Sequence, residues 1–240
     1  MRLDVAFLPE EAGTLRGRVA VVVDVLRATT SLLTILERGC AEVLIAPTVE
    51  AARRFAHAHP DLLLAGEERG RAPAGFDFGN SPVAFARAEL EGRRMVFSTT
   101  NGTRAIRLVQ EASTVLLGCL RNCSAVARGG LAAAGGEEEV CVVCAGREGR
   151  FSLDDAYTAG ALVDALLAEA GGNPLVLTDA ALAAQALHRS TADAAALFRR
   201  TRAGMNVMAI GLSEDLDYCA QRDRSVLVPE MGDRVRVLGS

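Results

Sequence analysis

The chain has 240 residues and a formal net charge of −4; half its residues are apolar, 4% are aromatic, and every basic residue among its 26 Lys plus Arg is arginine. That length allows one large domain or two small ones with ample material for a core, and the balanced charge argues against disorder or a nucleic-acid surface. Without lysine there is no phosphate-loop lysine, Schiff base or pyridoxal-phosphate anchor, and without tryptophan a base-stacking platform is disfavoured.

From the N-terminus onward, short apolar runs alternate with helical spacing. Extended segments are expected at 3–8, 19–25, 42–46, 62–66, 94–98, 114–118, 140–145, 174–177, 225–228 and 235–238. Amphipathic helices are expected at 29–38, 48–57, 81–89, 103–111, 123–134, 153–169, 180–188 and 191–202. Several begin at Ser, Thr or Asn and several end near Gly, as helices do. This alternation predicts a three-layer α/β/α fold, with a mostly parallel, or mixed, sheet covered on both faces. The acidic run at 135–139 reads as a turn. Residues 1–240 are expected to form one domain, with a small helical subdomain or lid at about 180–216 where the alternation breaks. No leader pattern occurs and no apolar run nears the ~18 residues of a membrane span, so a cytoplasmic protein is expected.

The six cysteines do not read as a metal site. Cys141 and Cys144 fall in an apolar strand, where residues three apart face opposite ways. A zinc knuckle needs a turn between its ligands, and buried thiols act as small hydrophobes.

The informative polar residues follow the strands. The run Val19-Ala-Val-Val-Val-Asp-Val-Leu-Arg-Ala-Thr-Thr-Ser31 delivers Asp24 and Arg27 to a helix start, beside Thr29 and Thr30. Either this is a ligand-binding strand end or the Asp and Thr merely cap the helix. Glu67 and Arg69 follow the fourth strand, and Asp77, Asn80 and Ser81 lie in Gly75-Phe-Asp-Phe-Gly-Asn-Ser-Pro82. There Ser81 suits an N-cap and Pro82 the first helical position. Thr100, Asn101, Gly102, Thr103 and Arg104 follow the fifth strand. Arg147, Arg150, Ser152, Asp154 and Asp155 follow the seventh, where Ser152 to Asp155 also reads as a variant capping box. A parallel sheet gathers such loops at one edge. Hard carboxylates suit Mg²⁺, and arginine forks with hydroxyls suit phosphate oxygens, so metal-assisted attack on a phosphate ester is the chemistry expected. An aspartyl-phosphate phosphatase fits poorly: position 26 is Leu, where that pattern has a second Asp, and there is no lysine.

Together, Asp24-Val-Leu-Arg-Ala-Thr-Thr30, Gly66-Glu with Arg69, Gly75-Phe-Asp-Phe-Gly-Asn-Ser-Pro82, Thr99-Thr-Asn-Gly-Thr103, Cys144-Ala-Gly with Phe151-Ser-Leu-Asp-Asp155, and Asp215 with Cys219-Ala and Val228-Pro229 resemble the 2-phosphosulfolactate phosphatase (ComB) family over nearly the whole chain. The resemblance implies a three-layer fold and a Mg²⁺-dependent phosphatase. Such an enzyme converts 2-phospho-3-sulfolactate to 3-sulfolactate and phosphate, a step of the coenzyme M biosynthesis type. Asp154 departs from the Glu expected there and shortens the reach by one methylene.

On this reading Asp24, Arg27, Glu67 and Asp155 are the expected catalytic residues, and Asp24, Glu67 and Asp154 the expected Mg²⁺ ligands. Expected substrate contacts are Thr29, Thr30, Arg69, Asp77, Asn80, Ser81, Thr100, Asn101, Gly102, Thr103, Arg104 and Ser152. The partner is a small anionic phosphate ester, with neither nucleic acid nor membrane; the sequence leaves a homo-oligomer such as a dimer open. Two alternatives stand beside it: a phosphatase for another small anionic 2-phospho-hydroxyacid, and a non-catalytic small-anion binding protein.

Overall fold

All five residues of β2 (Val19–Val23) are buried, and they sort by parity between two cores. Val19, Val21 and Val23 join one apolar cluster while Ala20 and Val22 join the other, the period-two signature of a strand covered on both faces. Cys141 and Cys144 of β7 (Val140–Cys144) divide the same way, and all six cysteines are free and buried.

The computed structural model describes residues 1–135 and 139–237; the turn expected at 135–139 lies largely outside them, as does the end of the strand expected at 235–238. The remaining strands are β1 (Arg2–Ala6), β3 (Glu42–Ile45), β4 (Leu63–Gly66), β5 (Arg94–Ser98), β6 (Thr114–Gly118), β8 (Val176–Leu177), β9 (Pro229–Met231) and β10 (Val235–Val237). The helices are α1 (Ala28–Glu37), α2 (Val49–Ala58), α3 (Pro82–Arg87), α4 (Gly102–Leu108), α5 (Cys123–Ala134), α6 (Leu153–Glu169), α7 (Asp179–Arg189), α8 (Ala194–Arg200), α9 (Arg202–Ala209) and α10 (Glu214–Cys219). The strands form one sheet in the order β4-β5-β3-β10-β9-β6-β2-β7-β1-β8. This is the α/β class expected, with a mixed sheet.

The mixing has a specific form. β4, β5 and β3 are mutually parallel, as are β6, β2, β7, β1 and β8. Between these blocks the hairpin β9–β10 pairs antiparallel to both neighbours, so the blocks run in opposite senses. Along a flat sheet their carboxyl ends would face away from each other. Residues of both blocks nevertheless belong to one buried cluster, Ala65 and Phe97 with Val22, Leu117 and Val143, and Gly102 after β5 lies against Asp24 after β2. The sheet therefore coils between the blocks, as right-handed strand twist accumulates.

Three sequence expectations shift. No strand forms at 225–228; the chain pairs from Pro229 instead, where three residues suffice for a hairpin. The helix expected at 191–202 is interrupted at Thr201, which is extended and caps α9 through its hydroxyl on the Gly204 N–H at 3.0 Å. Within the region expected as a subdomain or lid, α7 packs on α6 and β1, while α9 forms a wall of the cleft described next. Among the described residues no helix is long and apolar enough to cross a membrane.

Candidate active site

A cleft of about 480 Å³ opens where the carboxyl ends of β2, β4, β5 and β7 converge, with α9 opposite. Asp24, Arg27, Glu67, Arg69, Asn80, Arg147 and Glu148 supply its polar lining together with Thr100 and Asn101. On the α9 side the surface is apolar except for Asn206. This volume suits a small ligand.

Asp24 follows β2 directly and is 8% exposed. Its Oδ1 accepts the Ala28 N–H at 3.3 Å, while its backbone is locked to Thr29. Burial pushes its carboxyl up to about 7, the nearby charges of Glu67 and Asp154 push the same way, and only the Ala28 N–H and Arg27 oppose them. A Cβ at Gly102 would lie 2.4 Å from the Ala28 Cβ and 2.7 Å from the Asp24 Oδ2. Only glycine allows the β5 loop to close on this carboxylate. Gly102→Ala is expected to destabilise the fold by about 1–3 kcal/mol and displace Asp24, read as a lower Tm and lower kcat in the same preparation.

Glu67 clamps two loops. Its Oε2 accepts the Gly70 N–H at 2.6 Å and its Oε1 the Thr100 N–H at 2.8 Å. Gly70 belongs to a tight turn closed by reciprocal Glu68–Arg71 backbone bonds, with Arg69 at φ 53°. A second such turn, closed between Arg147 and Arg150, has Glu148 at φ 52°. The Glu148 N–H donates to the Asn101 Oδ1 at 3.1 Å, joining the β7 and β5 loops. Thus two strained turns present Arg69 and Arg147 to the same cleft.

Two buried polar atoms in the lining stand without partners among the described residues: the Asn80 carbonyl oxygen Oδ1 and the Arg147 Nε. Asn80 is itself only 5% exposed. Leaving such groups unpaired is costly, so each offers a bonding position to a bound ligand.

Several expected contacts lie elsewhere. The Thr29 hydroxyl bonds the Asp24 backbone, and that of Thr30 donates to the Val25 carbonyl at 3.0 Å; both side chains are fully buried. Asp77 is exposed and accepts the Leu64 N–H at 2.8 Å, stitching the edge of β4. Ser81 caps α3 on the Ala84 N–H, as its sequence suggests. Thr103 bonds back to Thr99, and the exposed Arg104 pairs with Glu10. Ser152 makes no cap bond and donates to the Asp154 Oδ1 at 3.0 Å, so the capping-box reading does not hold. None of these side chains lines the cleft.

Asp154 and Asp155 stand behind it. Burial raises both carboxyls. Asp155 spends its two oxygens on the Val25 N–H at 3.0 Å and the Gly146 N–H at 3.1 Å, pinning the loops of β2 and β7. Sequence reasoning missed the role of Asp215, whose place in an acidic helix start hides its burial beside Arg27. It also missed Asn206, whose signal was one amide within a small, apolar helix face.

The donor set fits a hard cation. Among the described residues no three His, Cys, Asp or Glu side chains gather closely enough to hold a metal by themselves, so Asp24, Glu67 and Asp154 are not a closed cage. Mg²⁺ needs less: one or two carboxylates, with other oxygens and water filling its sphere. The buried Asp24, repelled by neighbouring acids, and the orphaned Asn80 carbonyl line one cleft and supply such oxygens.

The comparisons with known proteins give the family. The family model described as 2-phosphosulpholactate phosphatase matches residues 6–234. A Deinococcus radiodurans protein named as a probable 2-phosphosulfolactate phosphatase is 44% identical over 98% of this chain and 96% of its own length. One of that name from Thermus thermophilus is 40% identical over the same shares, and one from Clostridium acetobutylicum is 34% identical over 90% of each chain. With the match spanning the strands, turns and helices that build the cleft, the chain belongs to the 2-phosphosulfolactate phosphatase family, a family of phosphoric monoester hydrolases.

Proposed function

We propose that this chain hydrolyses 2-phospho-3-sulfolactate to 3-sulfolactate and phosphate with Mg²⁺, a step of the coenzyme M biosynthesis type. The observation that carries the reading is one cleft holding a buried carboxylate at about 7 together with Arg69, which has no ion-pair partner among the described residues, and Arg147, whose Nε is unbonded although its Nη2 lies 3.9 Å from Glu148, on a chain of this family. A substrate with phosphate, carboxylate and sulfonate groups needs several cations, and Arg69 makes no ion pair among the described residues while the Arg147 Nε lacks an acceptor.

Asp24 and Asn80 would hold the cation, with Glu67 nearby. When bound, Mg²⁺ would neutralise the acidic cluster and stabilise charge on the transferring oxygens. The chain's own groups do the rest. Arg69 and Arg147 grip the anionic ends of the substrate from the two turns, and Arg27, fixed by its bonds to Asp215 and the Gly70 carbonyl, presents its remaining donors from the wall. The α9 face covers the ligand with Val207 and Ile210, which exclude water from that side.

Arg69→Ala is expected to raise KM about 10–100-fold, and Arg104→Ala, which only breaks an exposed pair with Glu10, to leave kcat/KM within about twofold. Phosphate release from 2-phospho-3-sulfolactate, phospholactate and 2-phosphoglycerate tests the substrate. The sulfonated ester should lead in kcat/KM by roughly 10-fold or more. Equal turnover of phospholactate would move the assignment to a broader phospho-hydroxyacid phosphatase, and ligand-dependent thermal stabilisation without any release would make the protein a binding protein.

A further inference from the structure

Asp215 lies in the first turn of α10, distant in sequence from every cleft residue it serves, and 1% of its side chain meets solvent. Its Oδ2 accepts from the Arg27 Nη1 at 2.8 Å. Its Oδ1 accepts the Ser81 hydroxyl at 2.6 Å and the Val83 N–H at 3.4 Å. Arg27 in turn donates through Nη2 to the Gly70 carbonyl at 3.0 Å, in the turn that carries Arg69. One carboxylate thus ties the C-terminal helices to the start of α3 and to a guanidinium in the cleft wall.

Fastening α10 to α3 does not require this much. The bonds from Ser81 and Val83 already join the two helices, and none of the three Asp215 bonds caps α10. The remaining arm is a charge-assisted bond to a side chain that lines the cleft, and it fixes the plane of that side chain. With Nη1 and Nη2 each engaged once, the guanidinium plane is fixed and with it the direction of every remaining Arg27 donor, and catalysis by preorganised donors depends on such orientation.

From this geometry we infer that Asp215 is a positioning residue for the reaction, acting through Arg27; the inference rests on reading the cleft as a phosphatase site. It extends that site to a helix that contributes no other group to it. A buried charge pair of this kind persists because removal of either partner strands the other.

The test is a double-mutant cycle on phosphate release by the full chain, in wild type, Asp215→Asn, Arg27→Ala and the double variant, each assayed below its measured Tm. Asp215→Asn should lower kcat about 10²-fold. In the Arg27→Ala background it should change kcat by less than about twofold, because the group it orients is gone. A folded Asp215→Asn protein with kcat within about twofold of wild type overturns the inference, as do losses that multiply in the double variant. If Asp215→Asn does not fold, Asp215→Glu, which keeps the charge but moves it, is read in the same cycle with the same expectation. If wild type releases no phosphate, it is the reading of the cleft that fails, and the cycle is then read on the Kd for inorganic phosphate, with the same coupling expected.

Discussion

Asp24→Asn is expected to cut phosphate release on the order of 10³-fold while making the metal-free protein more stable at pH 8. Asparagine keeps an acceptor for the Ala28 N–H and removes only the charge. The sign follows from linkage. With its carboxyl raised from 3.8 to about 7, the folded protein binds more protons than the unfolded chain between those values, so stability falls as pH climbs through that window. Above pH 7 the buried charge costs at most about 4 kcal/mol, and the neutral amide avoids that cost. Denaturant melts at pH 4 and pH 8 with chelator present read this directly. The two proteins should nearly coincide at pH 4, and the variant should lead by roughly 2–4 kcal/mol at pH 8. Added Mg²⁺ should recover much of the wild-type loss and do little for the variant. A variant less stable than wild type at pH 8 would mean that Asp24 is held by contacts beyond those described.

The second large effect is expected at Asp155, and it falls on stability. Asp155→Ala strands the buried N–H groups of Val25 and Gly146, each worth about 1–3 kcal/mol when left unpaired, so a loss of roughly 2–5 kcal/mol is expected. For a domain of this size that is a fall in Tm of about 10 °C. Asp155→Asn should fall between wild type and Asp155→Ala, because its amide nitrogen would face one of the two donors while loss of the charge relieves the burial that raises this carboxyl. The freed loops carry Asp24 and Arg147, so kcat should fall as well. An Asp155→Ala variant as stable as wild type would show that the β2 and β7 loops hold their places without the clamp.

The local chemistry of the chain was readable where one segment decides it. A valine run buried on both faces ending at Asp24, and Ser81-Pro82 starting a helix, require nothing from distant residues. The gathering of loops into one cleft was also readable, though not its cause. Strand sense is settled by pairing between distant segments, and the hairpin that reverses it has strands of three residues, too short to show alternation. Side-chain roles were hardest to read. Thr29, Thr30 and Thr103 have the hydroxyls a phosphate site needs, yet each satisfies nearby backbone, the usual competing use for such residues. Asp215 stands in an acidic run, Ser213-Glu-Asp-Leu-Asp217, that suits an ordinary helix start, and its partner, Arg27, is far away in sequence. The family motifs pointed to loops that share one cleft; geometry separated the residues that line it from those that pack behind it.

The most direct test of the whole account is phosphate release from 2-phospho-3-sulfolactate by the purified chain with Mg²⁺, after chelation, and after Mg²⁺ is restored, run beside Asp24→Asn. Turnover should collapse on chelation, return with the cation and be nearly absent in the variant. No release from wild type with Mg²⁺, or undiminished release from either the chelated enzyme or Asp24→Asn, would contradict it.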